Sequence, residues 1–158
     1  MKYLIMCEGP NELKIIDILL DHDCLRITRN DLLGLEAYHA RQIAGSSVVQ
    51  IALNMYPGEV TVLRTGDKMN EKLKIPKLYE EKIISVEKYC TKPELEILLI
   101  ISEGLTKEYE KVKSSEKAKT FAKRNVKCGR RPYKNDTSFY DEYYGNDVNK
   151  LVDSIRSY

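Results

Sequence analysis

The sequence predicts an α/β protein with a mainly parallel sheet flanked by helices. Residues 2–7 form a short apolar run, which is typical of a strand buried on both faces. Residues 10–21 follow with apolar side chains at helical spacing. Two more strand segments, residues 60–63 and 83–86, are rich in β-branched side chains. Strands that alternate with helices are typical of a parallel sheet.

Local signals place the helices of the first half of the chain. Gly9 suits a tight turn after the first strand, and Pro10 suits the first turn of a helix. Ser46 and Ser47 can cap a second helix that carries apolar residues as far as Leu53. Residues 25–45 give no clear assignment.

The second half of the chain is predicted to be helical. Thr91 and Glu94 match a capping box, which predicts a central helix of nearly unbroken apolar character up to Ile101. Gly104 is expected to end or kink that helix. A further helix from 114 to 124, a loop at 128–132 and an amphipathic helix over 146–158 complete the prediction.

Size and composition predict one domain. The chain has 158 residues, 42% of them hydrophobic, which is enough for one continuous core. No convincing linker or repeat interrupts it. We therefore expect a single domain over 1–158, with a core at about 2–101 and a helical, basic extension at about 105–158.

Composition also excludes several classes of protein. The longest apolar runs are too short to span a bilayer, and the N-terminal segment lacks the features of a signal peptide. The four cysteines stand far apart without a C-x-x-C motif, which predicts reduced thiols and a cytoplasmic location. Two histidines argue against a histidine-rich metal site, so any metal is expected on carboxylates.

Charge is distributed unevenly along the chain. Residues 107–134 contain eleven Lys or Arg and three Glu, whereas the rest contains fifteen basic and twenty-one acidic residues. This segment is either a surface for an anionic ligand or a solvated, lysine-rich helix. As a nucleic-acid surface it offers ten cations to phosphates: Lys111, Lys113, Lys117, Lys119, Lys123, Arg124, Lys127, Arg130, Arg131 and Lys134. Nearby aromatic residues either stack on bases or belong to the core: Phe121, Tyr133, Phe139, Tyr140, Tyr143 and Tyr144.

Acidic residues follow two of the predicted strands. Glu8 comes after the first strand and Asp67 after the second. Ligands of parallel sheets collect at the carboxyl ends of strands, so both are candidate site residues. Each also has a structural explanation, since Glu8 can stabilise a helix N-terminus and Asp67 can be an ordinary turn residue.

The segment Glu8-Gly9-Pro10-Asn11-Glu12 between an apolar strand and a helix resembles the first motif of the Toprim (topoisomerase–primase) family. Its Glu-x-x-x-Glu form is similar to the overcoming-lysogenization-defect (OLD) nucleases. The strand ending at Asp67 falls where the family has an Asp-x-Asp motif, and Pro93-Glu94-Leu95-Glu96 is similar to the acidic element of the OLD-type enzymes. The likeness covers about residues 2–101. It departs from the family at Asp67-Lys68-Met69, which lacks the second aspartate.

The resemblance implies a Mg²⁺- or Mn²⁺-dependent nuclease or phosphodiesterase that acts on DNA or RNA, with a role in phage defence. Glu8 would be a general acid/base or metal ligand, and Glu12, Asp67 and Glu96 would be further ligands. Lys113 and Lys117 are the catalytic candidates that would stabilise phosphoryl charge.

Two alternatives to catalysis remain. The missing second aspartate favours a non-catalytic nucleic-acid-binding module on a Toprim-like scaffold. A protein-interaction module with a partner in a defence system is the other alternative. Glu12 and Glu96 also keep structural readings, as a first-turn helix carboxylate and as a residue that pairs with a cation or faces solvent.

Overall fold

The computed structural model describes residues 1–67, 70–90 and 94–158, which form two compact units, 1–91 and 92–158. The first unit contains a four-stranded sheet with the order β2-β1-β3-β4. Its strands are β1 (Lys2–Cys7), β2 (Tyr38–His39), β3 (Val60–Gly66) and β4 (Ile83–Cys90). All neighbouring pairs are parallel, which confirms the predicted α/β class.

Helices cover both faces of this sheet. Leu4 and Met6 of β1 pack on one face in a cluster with α2 (Ser47–Met55), whereas Ile5 and Cys7 pack on the other face beside α1 (Pro10–Asp21). Successive side chains of a strand point to opposite faces, so an apolar run is the expected sequence for a strand covered on both sides. The apolar run at residues 2–7 therefore correctly predicted a strand that is buried on both faces.

The local signals of the first unit are also confirmed. Pro10 is the first residue of α1, where a missing N–H costs nothing. Ser46 caps α2, and its hydroxyl accepts a hydrogen bond from the Val49 N–H at 3.4 Å. The unassigned region holds two short 3₁₀ turns (Arg29–Asp31 and Leu33–Leu35) and β2, and a third turn spans Lys77–Tyr79.

The second unit consists mainly of helices. They are α3 (Glu96–Ser102), α4 (Thr106–Glu110), α5 (Ala118–Asn125), α6 (Thr137–Gly145) and α7 (Val148–Arg156). The predicted loop at 128–132 is instead a small antiparallel hairpin of β5 (Lys127–Cys128) and β6 (Arg131–Pro132). Helix α3 lies in this unit and packs against α5 and α7.

Aromatic side chains form the core of the second unit. Phe139, Tyr140 and Tyr144 are completely buried, and Phe121, Tyr133 and Tyr143 are nearly so. Ring contacts join five of them, including Tyr133 and Phe139 with centroids 5.1 Å apart, whereas Phe121 contacts the ring of Tyr109. The prediction that these rings stack on bases is therefore wrong, and the core interpretation is confirmed.

The predicted capping box is only partly described, because Thr91 and Pro93 lie outside the described residues. The Glu94 side chain caps a different helix: its Oε2 accepts a hydrogen bond from the Lys119 N–H at 2.8 Å, at the start of α5. Gly104 follows α3 with a φ of +71°, as expected for a residue just past a helix end. Within 1–67, 70–90 and 94–158, none of the helices has the length and apolar character needed to cross a membrane.

Candidate functional site

Strand register brings three charged residues to the carboxyl edge of the sheet. In the ladder, Met6 lies opposite Arg64, and Arg64 lies opposite Lys88. Glu8 follows two residues after Met6, and its N–H donates to the Thr65 carbonyl at 2.9 Å. Glu8, Arg64 and Lys88, here called the Glu8 cluster, therefore come from three adjacent strands at one edge.

Both cations of the cluster approach the same carboxylate oxygen. Glu8 Oε1 accepts a hydrogen bond from Lys88 Nζ at 3.2 Å and lies 3.6 Å from Arg64 Nη2. The side chains of Glu8 and Arg64 are only 3% and 2% exposed, and that of Lys88 is 18% exposed. Glu8 Oε2 is buried without a hydrogen-bond partner among the described residues. The cluster carries a formal charge of +1.

Arg64 also binds the backbone of two loops outside the strands. Its Nη1 donates to the Glu71 carbonyl at 2.7 Å, and its Nη2 donates to the Arg41 carbonyl at 3.2 Å. Gly66 provides space for the carboxylate, since a Cβ at that position would overlap Glu8 and lie only 2.6 Å from its Cγ. Glu8 and Arg64 are thus packed against backbone and shielded from solvent, whereas Lys88 is partly exposed.

The other predicted ligands of the first unit lie at the same end of the sheet. Asp67 follows β3 directly and is exposed. Glu12 stands in the first turn of α1 and folds back over Gly9, where a Cβ would lie 3.0 Å from its Cδ. This position favours a carboxylate because the helix N-terminus is partially positive. The structure therefore brings Glu8 and Asp67 to neighbouring strand ends, as predicted.

The donors described around Glu8 do not by themselves form a site for a divalent metal ion. Mg²⁺ and Mn²⁺ require several carboxylate or water oxygens around an open position. Among residues 1–67, 70–90 and 94–158, no three His, Cys, Asp or Glu side chains form a group that could hold a metal. Glu8 is moreover already neutralised by two protein cations. We therefore derive no reaction step through a metal here.

Glu96, the fourth predicted ligand, belongs to the core of the second unit. It is 7% exposed, and its Oε1 accepts a hydrogen bond from the Tyr133 hydroxyl at 2.6 Å. The Tyr140 hydroxyl lies 3.2 Å from that of Tyr133. Burial, followed by the hydrogen bond to Glu96, raises the pKa of Tyr133 far above its ordinary value. A buried carboxylate needs a partner, and here the Tyr133 hydroxyl supplies it.

The two predicted catalytic lysines are surface residues of the second unit. Lys113 is exposed and forms an ion pair with Glu110 at 2.5 Å. Lys117 is exposed at the position that precedes α5. Their role in stabilising phosphoryl charge stays a prediction.

Residues 117–134, here called the basic helix–hairpin, combine α5 with the β5–β6 hairpin. The segment contains eight Lys or Arg and no Asp or Glu. Two of its arginines are engaged: Arg124 pairs with Glu116 at 2.5 Å, and Arg131 binds Glu142, Ser138 and Asp136. The remaining six are exposed and form no ion pair within the described residues: Lys117, Lys119, Lys123, Lys127, Arg130 and Lys134.

Sequence reasoning missed Arg64 and Lys88. The signal for Arg64 was a charged residue inside an otherwise buried strand, Val60 to Gly66, because such a charge must find a partner. Lys88 had no comparable signal, since β4 extends to Cys90 and the sequence pattern predicted it only up to Val86.

Comparison with known proteins adds no family to this description. No protein-family model, no curated protein and no solved structure matches the chain.

Proposed function

We propose that this chain is a non-catalytic nucleic-acid-binding protein, in which the basic helix–hairpin contacts phosphates and the sheet unit is a Toprim-like scaffold. The observation that carries the proposal is the group of six exposed cations that form no ion pair among the described residues. Exposed cations that are not neutralised by the protein release counterions from a nucleic acid when they bind it.

The state of Glu8 supports the absence of catalysis. A catalytic carboxylate must reach substrate or a bound ion, whereas Glu8 is 3% exposed and paired with Arg64 and Lys88. The cluster is better suited to holding three strand ends together. The likeness of the Glu8-Gly9 segment to the Toprim motif then describes the scaffold and not an activity.

A charge-reversal experiment tests the binding surface. Lys119→Glu combined with Lys123→Glu places two negative charges on one face of α5, and we expect on the order of a tenfold or greater loss of affinity at low salt. Binding to fluorescently labelled DNA and RNA is followed by anisotropy. For the wild type, contacts from all six cations predict a slope of log affinity against log salt of about −5.

The matched control reverses two exposed lysines of the first unit, Lys72→Glu with Lys77→Glu, and so changes net charge equally. We expect this variant to retain most of the wild-type affinity. Equal weakening by both double variants would show that only overall charge matters. No binding to any nucleic acid at low salt would exclude the proposal.

A metal-dependent nuclease is the second candidate, favoured by one observation. Glu8 Oε2 lacks a hydrogen-bond partner among the described residues and lies at the same edge as Asp67. The test is cleavage of single- and double-stranded DNA and RNA with Mg²⁺ or Mn²⁺, comparing wild type with Glu8→Gln. Metal-dependent cleavage that disappears in a folded Glu8→Gln variant would replace the non-catalytic proposal.

The cytoplasm remains the predicted location of the protein. The prediction rests on the cysteines, and Cys7, Cys24 and Cys128 are free thiols in the structure.

A further inference from the structure

We infer that the basic helix–hairpin recognises the phosphate backbone of a duplex, in preference to single strands. The inference rests on the proposed function and adds the class of nucleic acid to it.

The buried aromatic rings of the second unit favour a duplex over a single strand. Proteins that hold single strands stack bases on aromatic side chains, each stack contributing about 1–3 kcal/mol. The aromatic residues in and beside the basic helix–hairpin are turned inward, with Tyr133 at 4%, Phe121 at 4% and Phe139 at 0% exposure. Tyr140, Tyr143 and Tyr144 are likewise core residues. The described part of this surface therefore offers cations to a nucleic acid but no stacking platform.

Regular secondary structure fixes the backbone positions of the cations in the basic helix–hairpin. Lys119 and Lys123 are four residues apart on α5 and thus share one face of the helix. Lys127 begins the hairpin, and Arg130 stands with Gly129 at its turn, between the paired residues Cys128 and Arg131. Arg131 fastens the hairpin to α6 through its bonds to Ser138 and Glu142.

Cations carried by regular structure suit the rigid, dense phosphates of a duplex. The eight residues of α5 extend about 12 Å. A duplex presents one charge per about 1.7 Å of its axis, about twice the density of one of its strands. A flexible single strand would also lose conformational entropy when it binds these cations, without base stacking to compensate for the loss.

The experiment measures binding of the full chain to a short mixed-sequence DNA duplex, the corresponding RNA duplex and each separated strand, under the same salt. We expect each duplex to bind on the order of tenfold more tightly than its strands, because the duplex presents about twice the charge density along its axis. The two duplexes distinguish DNA from RNA. Lys119→Glu with Lys123→Glu should weaken duplex binding, and Lys72→Glu with Lys77→Glu should not.

The outcomes separate this inference from the function on which it rests. Separated strands that bind as tightly as duplexes, or more tightly, would overturn the inference and leave nucleic-acid binding intact. Duplex preference that the α5 variant does not weaken would also overturn it, because another surface would then be responsible. Failure of every probe to bind would remove the proposed function itself.

Discussion

Glu8 is the common partner of the two cations at the carboxyl edge of the sheet. Its carboxylate faces two cations and rests on the backbone of Gly66. Removing one partner of a buried ion pair typically costs about 3–5 kcal/mol, because the other charge is left uncompensated. Such a cost makes Glu8 a residue of structural importance whether or not it takes part in chemistry.

Gly66 provides a clean test of this packing. Gly66→Ala places a methyl group where the Glu8 carboxylate lies, so either the carboxylate or the strand must move. We expect a loss of about 2 kcal/mol of unfolding free energy, measured by chemical denaturation. The control is Gly45→Ala, where the nearest atom to an added Cβ is 4.0 Å away. A Gly66→Ala variant as stable as the control would contradict the packing described here.

Among the elements, helix α5 links the stability of the second unit to its proposed surface. Its buried residues Ala118, Phe121 and Ala122 face the core, and Tyr109 contacts the Phe121 ring at 5.2 Å between centroids. Its exposed residues carry the lysines. The Glu94 carboxylate satisfies one of the free N–H groups at its start and complements the helix dipole.

Loss of this cap should weaken α5 specifically. Glu94→Ala removes the acceptor for the Lys119 N–H, and a lost helix cap costs about 1 kcal/mol. Thermal denaturation followed by circular dichroism measures the effect. Glu81→Ala, which removes an exposed carboxylate in the first unit, serves as the reference and should change little. Equal melting temperatures for both variants would argue that Glu94 contributes nothing to α5.

Elements with strong local signals were predictable, and those defined by tertiary contacts were not. The apolar run of β1 and the caps of α1 and α2 are encoded within a few residues. Strand β2 has only two residues and exists because Tyr38 and His39 lie beside β1. The sequence predicts a loop at the β5–β6 hairpin, because a glycine and a proline are typical of loops and each strand has only two paired residues.

The candidate site was predictable in position but not in composition. The rule that ligands collect at carboxyl ends of strands placed Glu8 and Asp67 together. The partners of Glu8 come from long-range register, since Lys88 lies eighty residues away. Spacing along the chain carries no trace of such pairing, so a metal site and an ion cluster looked alike in the sequence.

At the scale of the whole molecule, buried protons couple stability to pH in both units. Burial raises the pKa of the Cys7 thiol from 9.0 to about 11 and that of the Tyr144 hydroxyl from 10.0 to about 12. The unfolded chain therefore releases these protons before the folded protein does. Their contribution to stability is complete below pH 9.0 and falls as pH rises through about 12.

We accordingly expect the unfolding free energy to decrease across this alkaline interval, by roughly 3 kcal/mol for each group at the upper end. Chemical denaturation at stepped pH values measures the decrease, and tyrosinate absorbance reports the ionisation of tyrosines on unfolding. Cys7→Ala should flatten the part of the curve between 9.0 and about 11. A wild-type stability that does not change with pH over this range would contradict the burial of both groups.

Arg64 holds its two loops through carbonyl oxygens, those of Arg41 and Glu71. Every amino acid supplies such an oxygen, so the anchor is indifferent to which residues occupy these positions. Substitution of Arg41 or Glu71 therefore leaves both backbone acceptors of the guanidinium in place, and the two hydrogen bonds do not depend on the side chains at these positions.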